Sequence, residues 1–143
     1  NVPPTRVRRE LKLVKGAEAP KAGDQVLVNA VFNNGDRVDV IGISRGKGFQ
    51  GVVKRHGFRG GRESHGSMFH RAPGSIGQSA FPSRVMKGMR MGGRMGGGQV
   101  TVKNLRIAKI DAENNLIYIR GAVPGGRNSV VVLSFAQNGR RGE

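Results

Sequence analysis

Residues 44–97 read SRGKGFQGVVKRHGFRGGRESHGSMFHRAPGSIGQSAFPSRVMKGMRMGGRMGG, and the fold of the whole chain turns on how that run is taken. It holds eleven Lys and Arg, at 45, 47, 54, 55, 59, 62, 71, 84, 87, 90 and 94, against one acid, Glu63, a net +10 in 54 residues. Fourteen of the chain's 24 glycines fall there. No helical or strand period persists along it, so it cannot bury enough apolar surface to offset its ordering entropy. Such a segment reads as an arm held by a domain and ordered by a partner. Its charge sets the partner's class, a polyanion. A flexible linker is the plain alternative, but linkers are Ser/Gly-rich and lack this density of cations among apolar anchors such as Phe49, Phe58, Phe69 and Ile76.

Strand-like segments flank the arm. Upstream, Gln25–Phe32 alternates apolar with small or polar residues, Asn33-Asn34-Gly35-Asp36 is a strong turn signal, and Arg37–Ile43 alternates again. Together these predict a β-hairpin. Downstream, Gln99–Val102 and Leu105–Ile110 resume the alternation, Asp111–Asn115 turns the chain, and Leu116–Arg120 returns as a second hairpin. A Pro/Gly turn at Gly121–Gly126 leads to a nearly all-apolar strand, Ser129–Leu133. Asn1–Pro20, with Pro3-Pro4 and with Arg6, Arg8 and Arg9 among Val7, Leu11, Leu13 and Val14, reads as a loop entering an edge strand. Short strands, turn signals and almost no helical periodicity predict an all-β fold, a small antiparallel β-barrel or sandwich. Residues 1–43 and 98–136 form its two parts, 44–97 is an irregular basic extension inserted between strands, and 137–143 is a loose tail.

The chain has 143 residues, a net charge of +16 and a pI near 11.8, which points first to nucleic acid and second to an anionic membrane. No apolar run approaches the ~20 residues needed to span a bilayer, and no signal-peptide pattern appears. Cysteine is absent, which removes disulfides and thiolate metal sites and fits a reducing compartment, the cytosol.

The chemical motifs are weak. Gly42-Ile43-Ser44-Arg45-Gly46-Lys47-Gly48 suggests a phosphate-binding loop, but its spacing is one residue short, no Ser or Thr follows the Lys, and no helix is signalled after it. His56, His65 and His70 near Glu63 lack the cysteines or helical framework of a metal site, and suit base stacking or phosphate bonding better. Ser64-His65 lies in a glycine loop without a nucleophile elbow, and no acidic cluster could hold catalytic Mg²⁺, so the chain is not read as an enzyme. Met86, Met89, Met91 and Met95 share no helical face and read as apolar wedges between RNA elements or as packing at the arm's root. In Arg71–Gln78, Pro73 fixes one φ, Gly74 and Gly77 free two others, and Ile76 anchors a sharp turn against RNA. The candidate RNA-binding residues are Arg45, Lys47, Lys54, Arg55, His56, Arg59, Arg62, His65, His70, Arg71, Gln78, Arg84, Lys87, Arg90 and Arg94.

Phe32 through Asp39, Gly42, Ser44, Gly46-Lys47-Gly48 and Gly51 to Arg55 follow the signature spacing of a known family. The match continues through His70–Gln78, Met91–Gly96, Val100-Thr101-Val102 and Gly121–Gly125. Over most of its length the sequence resembles the universal large-subunit ribosomal protein three family, bacterial type. The resemblance implies a translation-protein-like barrel on the subunit surface, an extension through ribosomal RNA toward the peptidyl-transferase centre, and a role in early subunit assembly. It implies large-subunit ribosomal RNA and neighbouring ribosomal proteins as partners, no membrane, no small-molecule substrate, and a place in the cytoplasmic ribosome. No cofactor is implied beyond structural Mg²⁺ of the RNA, not held by a protein site. Family members carry further residues before the point matching Asn1, including initiating strands of the barrel, so the expectation is a fragment or an incomplete barrel. The bacterial pattern has Trp after the Lys-Arg at the extension's tip, where His56 follows Lys54-Arg55. In some bacterial members the glutamine matching Gln78 is N-methylated, which makes Gln78 a candidate for modification.

Overall fold

The structure is a computed structural model and describes residues 4–10 and 20–136. In chain order its elements are α1 (Val28–Val31), β1 (Arg37–Ile43), β2 (Phe49–Gln50), α2 (Val52–His56), β3 (Gly93–Arg94), β4 (Gln99–Asp111), β5 (Leu116–Arg120) and β6 (Val131–Phe135). Strand dominates, and the strand pairings are antiparallel. The chain divides into two compact units, one of Arg37–Leu105 with Gly121 onward, the other of the residues up to Asp36 with Arg106–Arg120.

In the first unit β1 behaves as its alternation requires. Val38, Val40 and Gly42 are buried while Arg37 and Ile43 are exposed, and Val38 and Val40 are wholly shielded from solvent. On one side β1 pairs with β6, from Val38 opposite Phe135 to Gly42 opposite Val131. The early part of β4 lies on the other side, where Asp39 accepts a 2.9 Å hydrogen bond from the Asn104 N–H. Gly42 is glycine for want of room, since a Cβ there would stand 3.1 Å from Pro124 and 3.2 Å from Val131 Cγ1.

In the second unit the later part of β4 and β5 form the expected hairpin, with Arg106 opposite Arg120, Ile107 opposite Ile119 and Asp111 opposite Leu116. A bulge falls between Ile107 and Lys109. The turn is built by Asp111, whose carboxylate accepts from the Asn114 side-chain amide at 2.8 Å and from the Glu113 and Asn114 N–H groups. The Asn114 side-chain bond is the main reason its pKa lies below the usual value of 3.8. Ile107, fully buried, is the core of this unit.

Three expectations change. Gln25–Phe32 is not a strand but carries the single turn α1, because β1 already has a neighbour on each side and offers no edge to pair with. The Asn33–Asp36 turn forms, but it docks on β4: Gly35 N donates to Ile107 O, Ile107 N to Asp36 O, and Ile110 N to Asn34 Oδ1. The alternation of residues 99–110 belongs to one strand, Gln99–Asp111, with Asn104 at φ 59° between its two stretches. The small barrel or sandwich is replaced by open antiparallel pairing, since among the described strands β5 pairs only with β4 and β6 only with β1, whereas closure pairs every strand on both edges. The edge strand read in residues 1–20 falls largely outside the described residues, as does the tail 137–143, and residues 4–10 contain no strand.

Ile107→Ala should destabilise the protein by about 2–5 kcal/mol, read from the denaturant midpoint at unchanged m-value. Because the folded pKa of Asp111 is lowered, its stabilising contribution is complete above the unfolded value and fades as pH falls through the folded one. A carboxyl-carbon NMR titration should give a midpoint below 3.8 for Asp111, and Asp111→Ala should remove the associated acid-side loss of stability.

Candidate nucleic-acid interface

The arm leaves β1 at Ser44 and returns to β4 at Gly98, and these two ends are zipped together by backbone bonds. Ser44 N donates to Gly98 O at 2.9 Å, Gly97 N to Ser44 O at 3.1 Å, Lys47 N to Met95 O at 2.9 Å and Met95 N to Gly48 O at 2.9 Å. The ribbon continues into β2 and β3, with Phe49 opposite Arg94 and Gln50 opposite Gly93. Glycine is what lets the strands close: a Cβ on Gly96 would run into the Arg45 carbonyl, and its φ is 73°. The run that suggested a phosphate-binding loop is therefore one side of a β-ribbon, with Gly42 in β1 and Lys47 donating its N–H to the opposite chain.

Directly beyond the ribbon, α2 ends at Gly57, whose φ of 72° and N–H bonds to Val52 O and Val53 O make a left-handed cap. Lys54, Arg55 and His56 occupy the last turn, where positive charge suits the helix dipole. Five residues are too few to show a period, so the sequence carries no signal for this helix. It brings Arg55 Nη1 to within 2.7 Å and His56 Nε2 to within 3.0 Å of the Met91 carbonyl. Arg55 also lies over Gly93, where a Cβ would stand 2.7 Å from Nη1. Among the described residues of the arm, Val52 is the one buried apolar side chain.

Farther out, Gly61 N donates to His70 O at 2.8 Å, drawing residues 60–61 and 69–70 together. Of the two glycines expected to free the Arg71–Gln78 turn, Gly74 adopts a positive φ of 80° and Gly77 does not. Gly77 is held by Ser75 Oγ, which donates to its carbonyl at 3.0 Å. Ile76, Gly77, Gln78, Ser79, Ser83, Arg84 and Val85 line a hollow of about 330 Å³, so Gln78 and Arg84 stand together.

Arg45, Lys47, Lys54, Arg59, Arg62, His65, His70, Arg71, Gln78, Arg84, Lys87, Arg90 and Arg94 are all exposed. Arg55 and His56 are half-buried and already bonded within the arm, so they fasten it rather than simply face outward. The methionines divide in the same way, Met91 and Met95 half-buried at the root and Met86 and Met89 exposed. Exposed apolar side chains accompany the cations: Phe49 is 79% exposed, Met68 99% and Phe81 88%. The sequence gives no signal for Phe81 and Met68, because an isolated apolar residue in a glycine-rich run carries no pattern. Among the described residues no three His, Cys, Asp or Glu gather as a metal site, and no helix is long and apolar enough to cross a membrane.

A sequence model described as "Ribosomal protein L3" matches residues 13–115, which include β1, the whole arm and β4. The chain belongs to the ribosomal protein L3 family. It is 60% identical over 125 residues to large ribosomal subunit protein uL3 of Solibacter usitatus, covering 87% of this chain and 59% of that protein. The uL3 proteins of Trichlorobacter lovleyi and Koribacter versatilis are 58% and 51% identical, over 87% and 96% of this chain and 58% of each relative. The chain thus spans somewhat under three fifths of the length of these uL3 relatives.

Within this L3-family arm, Arg55 and Arg59 are expected to behave differently although both are cations. Arg55→Gln should speed amide exchange at Lys47 and Met95 in the free protein by roughly tenfold, the loss of one charge-assisted hydrogen bond. Arg59→Gln should leave those amides unchanged.

Proposed function

We propose that this chain is a structural, RNA-binding constituent of the large ribosomal subunit, without chemistry of its own. The observation that carries the reading is a zipped ribbon from which thirteen polar or cationic candidates emerge exposed, accompanied by unburied Phe and Met side chains. Cations meet phosphates, glycines allow close backbone approach, and Phe49, Met68 and Phe81 offer faces to bases or sugars. Residues 1–43 and 98–136 act as the strand-bearing scaffold, with 44–97 as the extension inserted between them. The names of the uL3 relatives support a place in the large ribosomal subunit, and the partners of the chain there are ribosomal RNA and neighbouring ribosomal proteins, in the cytoplasm. The extension reaches toward the peptidyl-transferase centre and helps the subunit assemble early, with Gln78 a candidate for modification. No cofactor is required.

Affinity for deproteinised large-subunit ribosomal RNA should fall steeply with salt. Replacing Lys54, Arg59 and Arg62 by Gln should flatten log affinity against log salt by about 0.7–0.9 for each phosphate no longer neutralised. An unchanged slope would return the arm to the linker alternative.

A further inference from the structure

Outside the arm, the β4–β5 hairpin carries a feature that the RNA-binding arm does not explain. Arg106 and Arg120 face each other directly across the two strands. Like charges in that position destabilise a sheet. Among the described residues neither guanidinium has a hydrogen bond or ion pair. Both arginines line a cavity of about 310 Å³ with Asn34, Gly35, Ile107 and Ala108, and no acid is among its walls. Asp36, the acid of the adjoining turn, is turned to the Asn33 N–H at 2.8 Å. Gly35, at φ 92°, brings bare backbone under Arg106, its Cβ position 3.7 Å from Nη2. Asn34 uses its side-chain oxygen on Ile110 N at 2.8 Å, which leaves the Nδ2 group as a donor. The bulge between Ile107 and Lys109 interrupts the hairpin's ladder at the same place.

We propose that Arg106, Arg120 and Asn34 form an anion site for one phosphate group, occupied by a backbone phosphate of RNA as a contact separate from the arm. Two guanidinium forks lining one hollow suit the oxygens of a phosphate, and a bound anion offsets the repulsion between the paired arginines. That the phosphate is part of RNA rests on the function proposed above. The arginine pair and the hollow do not.

The test uses the whole chain and deproteinised large-subunit ribosomal RNA, with Arg106→Gln/Arg120→Gln introduced both into the natural arm and into the arm carrying Lys54, Arg59 and Arg62→Gln. The pocket variant should weaken binding roughly tenfold or more and flatten the salt slope by about 0.9, in both backgrounds. Its thermal midpoint in the absence of RNA should be unchanged or higher, because a like-charge pair has been removed, which separates impaired binding from impaired folding. Arg106→Lys/Arg120→Lys should keep the slope and still bind more weakly, since the charge remains and the fork is gone. If the pocket variants bind as the parent does while the arm variant alone flattens the slope, the site is refuted and the arm's role stands. If the parent chain does not bind the RNA, the functional reading fails, and with it RNA as the occupant. Titration with inorganic phosphate, followed at the arginine Nε–Hε resonances, distinguishes the sources: saturation by free phosphate that RNA cannot displace would overturn the proposal.

Discussion

Four backbone hydrogen bonds between residues 44–48 and 95–98 hold the arm's two ends side by side, and the rest of the arm depends on them. Each contributes about 0.5–1.5 kcal/mol net, and among the described residues none of 44–48 or 95–98 is a buried apolar side chain that could share the task. They exist because Gly96 has no side chain to collide with the Arg45 carbonyl. The same ladder carries β1 into β2 and β3 into β4, so the arm begins as an extension of the sheet's own pairing rather than as a loop tied on at a point.

Beyond that ribbon, fixed structure is supplied by few contacts. Arg55 and His56 hold the Met91 carbonyl, Gly61 holds His70, and Val52 is covered. A segment with a net charge of +10 in 54 residues repels itself over a Debye length of about 8 Å at physiological salt. The arm can nevertheless keep its root ordered, because Arg55 and His56 are consumed by one of its own carbonyl oxygens instead of standing free. Outer residues keep both their charge and their apolar surface exposed, so holding the arm's root and facing outward fall to different residues.

Sequence reasoning succeeded where side-chain burial repeats. The alternation of Arg37–Ile43 and the turn chemistry of Asp111–Asn115 each correspond to what the structure contains, because one buried face and one acidic turn residue leave a signature within a few positions. It failed where backbone bonding alone decides. The ribbon of residues 44–50 and 93–98 has no apolar face, so nothing in its composition separates it from disordered chain. Gln25–Phe32 failed for the opposite reason: its strand-like pattern is real, but strand requires a free edge, and the availability of an edge on β1 is a property of β4 and β6. Arg55 and Arg59 are equivalent as letters in a basic run. Only the short helix that turns one of them toward Met91 distinguishes them. Family membership follows from residues 13–115, a range in which these structural and outward-facing positions are interleaved.

Because the arm starts and finishes on neighbouring strands, its contour length is decoupled from the architecture that bears it. Residues 51–92 lie entirely beyond the paired ribbon, and lengthening such a loop adds closure entropy only logarithmically, about 0.6 kcal/mol for each doubling. Insertions and deletions in that interval therefore disturb the sheet little. The ribbon acts as a socket of constant gauge, able to accept arms of different sizes without alteration to the strands on which it stands.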